Sequence, residues 1–205
     1  MSLLLDLIFP VKCLSCSLPD YYLCPHCFSK LKRHSLQGDS LSLYAYQSPL
    51  IELISSLKYD FVTHLVPQLV DQIYHDLSSD FPNLLSYWQH SSFVLAPIPL
   101  HPLRQNWRGF NQSHLLASSL SKKLSLDYLP DLLLRKDYQT PQASIKNKSQ
   151  RLKNLSSPFL LNKNAPDHIL LFDDVKTTGS TLDSAAQSIL NLNPNCKINY
   201  LSLAA

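Results

Sequence analysis

Glycine is scarce in this sequence, with only three among 205 residues, at Gly38, Gly109 and Gly179. Because glycine adopts positive φ at little cost and lets a backbone approach a ligand closely, the loops that contain Gly109 and Gly179 are candidate ligand loops. Charged residues are also few, at 16%, and the net charge is +3. That balance is too mild to indicate nucleic-acid binding by itself. The hydrophobic content of 45% argues against global disorder.

Long apolar runs and targeting signals are absent as well. No apolar run approaches the roughly 20 residues that cross a bilayer, so we expect no membrane span. The first residues, MSLLLDLIFP, lack a basic segment and a small-residue cleavage site, so we expect no signal peptide and a cytoplasmic location. The length predicts one main domain with a small appendage, which we place at residues 43–205 and 1–36.

Residues 168–182, HILLFDDVKTTGSTL, combine a short apolar run, two adjacent carboxylates and a hydroxyl-rich turn. The run at 169–172 predicts a strand buried on both faces, and the apolar spacing from Leu182 to Leu190 predicts a helix. Ligands of open α/β sheets bind at the carboxyl ends of the strands. This order of elements puts Asp173 and Asp174 at such an end.

The residue types in this stretch suit a ribose 5-phosphate. Adjacent carboxylates, here Asp173 and Asp174, accept hydrogen bonds from vicinal ribose hydroxyls and can hold a hydrated Mg²⁺ in the outer shell. A glycine turn lets N–H groups converge on an anion, and the following helix adds its positive dipole end. The predicted 5-phosphate loop is Lys176, Thr177, Thr178, Gly179, Ser180 and Thr181. The alternative is an ordinary tight turn with a Ser or Thr N-cap.

A second strand–loop–helix unit carries cations where the first carries carboxylates. Residues 93–98, FVLAPI, predict another buried strand, and Asn111 or Ser113 can cap the helix that follows. Between them, Arg104, Arg108 and Gly109 form a candidate pyrophosphate site, because guanidinium groups match phosphate geometry. The alternative is an exposed basic turn. Lys58, near the end of a predicted helix that begins after Pro49, is either a phosphate contact or a solvated lysine.

Four of the five cysteines form a C-x2-C-x7-C-x2-C pattern, at Cys13, Cys16, Cys24 and Cys27. Two such knuckles can direct four thiolates to one tetrahedral Zn²⁺, and a segment this short has no core of its own. Four thiolates leave no open coordination position, so we expect a structural zinc site. Two disulfides, or His26 in place of one thiolate, are the alternatives. The fifth cysteine, Cys196, is expected to be a bystander.

These units predict an α/β fold, with a doubly wound parallel sheet behind a small N-terminal zinc-binding knuckle. The sheet should contain strands at 93–98, 169–172 and 198–203 as neighbours or near neighbours. Further helices are expected after Pro49 and over 62–77, a connector over 78–92, and short strands at 43–46 and 129–134.

The segments PIPLHPLRQNWRGFNQSHLLA and FDDVKTTGSTL, together with the cysteine knuckles, resemble the ComF/ComFC family of competence-associated proteins over nearly the whole chain. The resemblance implies a type I phosphoribosyltransferase-like fold, binding of phosphoribosyl pyrophosphate (PRPP) with Mg²⁺, and a role in DNA uptake during natural transformation. It also implies ligand contacts at Arg135 and in the polar segment 136–154, where Thr140, Arg151 and Asn154 match and Gln142 lies one residue early. The alternative for that segment is a disordered insertion. Lys176 stands where the family has an apolar residue.

Two functions remain open from sequence. One is a PRPP-dependent transferase, although Thr177 occupies the place of an acidic base in some purine-specific relatives, so no catalytic residue is assigned and the acceptor is unknown. The other is a non-catalytic module that binds single-stranded DNA or a competence partner such as a helicase. Its basic residues would be Arg104, Arg108 and those at 30–33 and 136–153, and its stacking residues would be Tyr59, Trp107 or Tyr138.

Overall fold

A computed structural model describes residues 11–33, 36–136 and 158–205. Its helices are α1 (Pro25–Ser29), α2 (Leu50–Tyr59), α3 (Val66–Asp80), α4 (Pro82–His90), α5 (Pro102–Arg108), α6 (Gln112–Leu124) and α7 (Ser180–Leu190). A 3₁₀ turn, Thr63–Leu65, precedes α3. The strands are β1 (Leu36–Gln37), β2 (Ser40–Tyr44), β3 (Val94–Pro97), β4 (Asp127–Tyr128), β5 (Leu133–Arg135), β6 (Phe159–Leu161), β7 (His168–Val175) and β8 (Lys197–Ala204). Thr140, Gln142, Arg151, Asn154 and Tyr138 lie outside the described residues.

The main sheet has the strand order β1-β2-β8-β7-β3-β4. Its pairs are parallel except for the β1–β2 hairpin. β7 is central, since Ile169 pairs with Ile198 of β8 and Val94 of β3 pairs with Ile169. The predicted mostly parallel α/β sheet with β3, β7 and β8 as neighbours is therefore confirmed.

Side chains alternate along β7 and divide the core into two layers. Leu170 and Phe172 pack in the layer that holds α2, α3 and α6, whereas Ile169 and Leu171 pack in the layer that holds α7. Both faces of the strand are apolar because both are covered by helices, the usual arrangement in parallel sheets. The apolar run that predicted this strand is explained by that double coverage.

The cysteine segment packs directly on the α/β unit. Leu23, Phe28 and Leu31 belong to the same buried cluster as Leu41 and Tyr44 of β2. The amide side chain of Gln68 in α3 accepts hydrogen bonds through Oε1 from the backbone N–H groups of Tyr22 at 3.0 Å and Leu23 at 3.4 Å. The division into residues 1–36 and 43–205 stays a prediction, although the buried side chains of the two parts are continuous.

Three segments differ from the sequence expectation. The connector expected at 78–92 contains α4, which begins at Pro82, a residue suited to the first turn of a helix. Trp88 of that helix is buried, and its Nε1 donates to Asn199 Oδ1 at 2.9 Å. The predicted loop after β3 is helical over Pro102–Arg108, and the strand expected at 129–134 is shorter, pairing as β5 with β6 in a separate two-stranded sheet. Among the described residues, no helix is both long and apolar enough to cross a bilayer.

Candidate functional site

A cleft of about 280 Å³ opens where β7 and β3 end. Both strands are parallel, so their carboxyl ends meet at the same edge of the sheet, and the loops that follow face one another. The lining combines acidic, basic, hydroxyl and aromatic side chains: Tyr46, Lys58, Tyr59, Ile98, Pro99, Leu100, Arg104, Arg108, Asn111, Gln112, Ser113, Arg135, Asp173, Asp174, Val175, Thr177 and Thr181.

Asp173 is the half-buried carboxylate of the cleft. Ser113 Oγ donates to its Oδ1 at 2.9 Å, and the backbone N–H of Asp174 donates to the same oxygen at 3.0 Å. Burial, and the adjacent charge of Asp174, raise the pKa of Asp173 to about 7. The carboxyl therefore changes its charge near neutral pH, and a ligand that donates hydrogen bonds to the carboxylate would favour its ionised form.

Asp174 is buried and its oxygens contact side chains from two helices. Its Oδ1 accepts from Gln112 Nε2 at 3.2 Å and from Ser113 Oγ at 3.4 Å. Its Oδ2 lies 2.5 Å from Lys58 Nζ, an ion pair whose geometry is not that of an ordinary hydrogen bond. The adjacent carboxylates therefore have different surroundings, which their positions in sequence do not reveal.

Arg108 extends this network toward the mouth of the cleft. Its Nη1 donates to Gln112 Oε1 at 3.0 Å, and its guanidinium lies over the ring of Tyr59, 4.9 Å from the centroid. Arg108 is only 7% exposed, and within the described residues its Nε has no hydrogen-bond partner. An unpaired buried donor of this kind is costly, and a ligand acceptor would satisfy it.

The loop before α7 has a left-handed glycine turn directly before the helix. Gly179 has φ of +81° and precedes the first residue of α7, so the helix dipole begins at this turn. Thr178 Oγ1 lies 2.9 Å from Ser180 Oγ and accepts from the Ser180 N–H at 3.4 Å. Lys176, in contrast, donates from Nζ to Ser40 Oγ of β2 at 2.8 Å.

The structure brings part of the predicted site together. Arg104, Arg108, Asp173, Asp174, Thr177 and Thr181 line the cleft, while Gly109, Lys176, Thr178, Gly179 and Ser180 are not among its lining residues. Asn111 caps α6, as one of the two predicted candidates, since its Oδ1 accepts from the Ser113 N–H at 3.0 Å. The contacts of Gln112 and Ser113 were not predicted. The Asn111 cap that leaves the Ser113 hydroxyl available is the one sequence signal for them, because Gly109 ends α5 and the helical i, i+4 rule does not apply from Arg108 to Gln112.

A directly bound Mg²⁺ does not fit Asp174 in this arrangement. One oxygen of the carboxylate faces the Lys58 ammonium and the other accepts from Gln112 and Ser113. A dication beside Lys58 Nζ would also meet the repulsion of a like charge. Mg²⁺ held with the ligand stays a prediction.

The four clustered cysteines fit a metal ion well. The sulfur atoms of Cys13, Cys16, Cys24 and Cys27 all lie within 4.8 Å of one another. All four are free thiols rather than disulfides, and His26 does not belong to the group. Burial opposes ionisation of Cys13, yet backbone N–H donors from Cys24 and Cys16 lower the pKa of its thiol to about 6. The pKa values of the Cys16 and Cys27 thiols are raised instead, so the zinc assignment rests on four converging sulfurs, the donor set of a structural zinc site.

Aromatic and apolar side chains surround the mouth of the cleft. Trp107 is 66% exposed and Tyr59 is 51% exposed, and their ring centroids are 6.1 Å apart. Tyr46 lines the cleft and is also exposed, and Leu103 is 60% exposed one turn before Trp107. Exposed aromatics next to arginines offer stacking surfaces to planar rings.

Comparison with known proteins gives the family. Competence protein ComFC of Bacillus subtilis (strain 168) is 30% identical over 176 residues, which covers 85% of this chain and 68% of that protein. The chain belongs to the ComF family. Competence protein F of Haemophilus influenzae is 28% identical over 186 residues, covering 88% of this ComF-family chain and 79% of that protein. The DNA utilization protein YhgH of Escherichia coli (strain K12) is 33% identical over 97 residues, or 47% of this chain and 42% of that protein. No protein-family model matches the chain.

Membership of the ComF family agrees with the sequence motifs. The motif residues Arg104 and Arg108 of one segment and Asp173, Asp174 and Thr177 of the other line the same cleft. The two segments that resemble the family therefore contribute side chains to one cleft in this chain.

Proposed function

We propose that the cleft binds PRPP through its ribose and phosphate groups. The observation that carries the proposal is the lining, in which two carboxylates, two arginines of α5 and the hydroxyls of the α7 loop share one opening. Asp173 would accept hydrogen bonds from the ribose hydroxyls. Thr177 and the N–H groups at the start of α7 would receive the 5-phosphate. Arg104 and the unpaired Nε of Arg108 would receive the pyrophosphate.

A transfer reaction from PRPP would break the bond between the anomeric carbon and the pyrophosphate oxygen. Negative charge grows on the departing pyrophosphate, so the groups that matter most are donors fixed in that position. Arg108 is suited to this role because burial, the Tyr59 ring and Gln112 hold its guanidinium in place. The acceptor and a general base are unassigned, so the transferase activity is a hypothesis that goes further than PRPP binding.

We infer a role in DNA uptake from the relatives. Two are competence proteins and a third is a DNA utilization protein. A sugar-phosphate site at the cleft and a structural zinc site at the four cysteines would then serve DNA handling in naturally transformable bacteria. A competence helicase or another DNA-uptake protein is the predicted partner class.

The second candidate function is a non-catalytic module that binds single-stranded DNA. The exposed pair Tyr59 and Trp107 favours it, because aromatic faces beside arginines stack bases without sequence preference. Of the basic residues at 30–33, Arg33 is less available, since it forms a bidentate pair with Asp76.

Calorimetric titration with PRPP tests the first function. Asp173→Asn should weaken binding about tenfold or more, because losing a hydrogen bond to a charged acceptor costs about 1.5–3 kcal/mol. Asp127→Asn is the matched control, since Asp127 is an exposed carboxylate at the start of β4, the opposite end of the sheet. Equal PRPP affinity in both variants and the parent would exclude Asp173 as a ribose ligand. If only a labelled oligonucleotide binds, and Trp107→Ala abolishes that binding, the second function replaces the first.

A further inference from the structure

Lys58 lies where a metal ion would lie if Asp174 were a metal ligand. The residue is in the last turn of α2, and its Nζ is 2.5 Å from Asp174 Oδ2 at the end of β7. The Lys58 side chain is 16% exposed and that of Asp174 is 5% exposed. The pair is therefore largely shielded from water. Removing one partner of such a buried ion pair costs much more free energy than removing one partner of a surface pair.

The other oxygen of Asp174 is also occupied. Gln112 Nε2 and Ser113 Oγ donate to Oδ1, and the Gln112 amide receives a hydrogen bond in turn from Arg108. Because Gln112 accepts from the arginine and donates to the carboxylate, the orientation of its amide is fixed. Two helices thus contact Asp174 directly, α2 through Lys58 and α6 through Gln112, and α5 supports Gln112 through Arg108.

The charges at the floor of the cleft balance without a metal ion. Lys58 lies at contact distance from Asp174, and Asp173, whose pKa is about 7, carries at most one further negative charge. Arg108 places a second positive charge nearby, since Arg108 and Asp174 hydrogen-bond to the same Gln112 amide. A divalent cation added here would place its charge against an ammonium in a poorly hydrated site, which is repulsive.

We propose that Lys58 supplies the positive charge that a divalent cation would otherwise supply at this carboxylate pair. A sugar phosphate then binds through Asp173 with no metal ion at Asp174, and Asp174 is a positioning residue that keeps Asp173 and α6 in place. The identity of the sugar ligand rests on the proposed function. The replacement of a divalent cation by Lys58 does not depend on the identity of that ligand, and it can be tested with a metal ion alone.

The first test uses Mn²⁺ as the probe and the full chain dialysed in buffer without chelator. The parent protein should bind Mn²⁺ no more tightly than its Asp173→Asn variant. Lys58→Met should gain a Mn²⁺ site at least about tenfold tighter, equivalent to about 1.4 kcal/mol, and the added Asp173→Asn should remove it. Mn²⁺ has the lowest affinity for thiolates among the divalent first-row transition metals, so the cysteine cluster should compete little for the probe.

Two further variants control for general effects. Lys58→Arg keeps the charge and should behave as the parent. Lys123→Met removes another lysine that pairs with a carboxylate, Asp71 at 2.7 Å, on a partly exposed surface of α6, and should also behave as the parent. The proposal would be overturned if the parent binds Mn²⁺ and Asp174→Asn weakens that binding tenfold. This result can be obtained even if Lys58→Met does not fold. A folded Lys58→Met that gains no Mn²⁺ site would overturn it as well.

The second test uses ribose 5-phosphate, which lacks the pyrophosphate that would bring its own cation. The affinity of the parent for ribose 5-phosphate should differ by less than about twofold with and without Mg²⁺. The affinity of Lys58→Met should be about tenfold lower without Mg²⁺ and should recover when Mg²⁺ is added. A tenfold dependence of the parent on Mg²⁺ would contradict the role of Lys58. If the parent binds neither ribose 5-phosphate nor PRPP under any condition, the proposed function fails, and the Mn²⁺ experiment alone decides the role of Lys58.

Discussion

At the scale of single residues, the two adjacent aspartates have opposite effects on the folded protein. The carboxylate of Asp174 pairs with Lys58 and accepts hydrogen bonds from Gln112 and Ser113. Asp173 has fewer donors, and burial and the neighbouring charge raise its pKa to about 7. A carboxylate kept ionised in such a place costs folding free energy, which is typical of ligand-binding residues.

The sign of this effect gives the first prediction. The folded state binds more protons than the unfolded chain between the ordinary value of 3.8 and about 7, so the contribution of Asp173 to stability falls as pH rises through that window. Asp173→Asn should therefore stabilise the ligand-free protein at pH 8 by on the order of 1–3 kcal/mol, after allowance for partial exposure. Asp174→Asn should destabilise it, because Lys58 loses its partner. Urea denaturation at pH 5 and pH 8 measures both, and a destabilised Asp173→Asn would refute the argument.

The second prediction concerns the backbone of the α7 loop. Gly179 has φ of +81°, and a Cβ there would lie 3.1 Å from Lys176 Cε, so Gly179→Val combines strain with lost access for a phosphate. The strain should cost about 1–2 kcal/mol, and PRPP affinity should fall more than about tenfold. Gly38→Val is the control, because φ is +58° in the β1–β2 turn and nothing lies near its Cβ position. Similar losses of PRPP affinity in both variants would mean that the effect is not local.

At the scale of elements, α3 connects the cysteine segment to the sheet. Asp76 of α3 is fully buried and accepts hydrogen bonds from Arg33, Tyr44 and Gln72, so one carboxylate joins the end of the cysteine segment to β2. Burial raises the pKa of Asp76, but the Arg33 and Tyr44 donors outweigh it and hold that pKa below its usual range. A few residues of one helix thus fix the relative position of two parts of the molecule.

The third prediction follows from this network. Asp76→Asn leaves Arg33 and Tyr44 without their carboxylate and should cost about 1–3 kcal/mol, because Tyr44 is buried whereas the Arg33 side chain is 38% exposed. Asp80→Asn, on the same helix with an exposed side chain 3.8 Å from Arg33 Nε, should cost less than about 1 kcal/mol. The lowered pKa means that the Asp76 contribution is complete above pH 3.8 and is lost as pH falls through the lower folded value. Denaturation of both variants at pH 7 and pH 3 would measure this, and equal costs would argue against the network.

At the scale of the whole molecule, the sequence predicts the buried strands and the cysteine cluster better than it predicts the contacts between side chains of different elements. The apolar runs at 93–98 and 169–172 predicted buried parallel strands, and the cysteine spacing predicted a cluster that does converge. Neither α4 nor α5 was expected, because each is short and its pattern is hidden by neighbouring prolines and polar residues. The pairing of Lys58 with Asp174 depends on how α2 packs over β7, which hydrophobic periodicity does not specify.

The last prediction concerns metal removal and whether the cysteine segment and the α/β unit unfold in one cooperative transition. Cys13, Cys24, Cys27 and Phe28 lie in the same buried cluster as Leu53 and Leu57 of α2, the helix that carries Lys58. Loss of a structural zinc, whose binding is worth about 10–16 kcal/mol in small domains, should therefore lower the stability of the α/β unit as well as the knuckle. Cys24→Ser should lower the melting temperature in one cooperative transition and weaken PRPP binding, whereas Cys196→Ser, a buried cysteine outside the group, should change little. Calorimetry with zinc analysis checks this: two separate transitions, with the second at the parental temperature, would mean that residues 1–36 fold independently of 43–205.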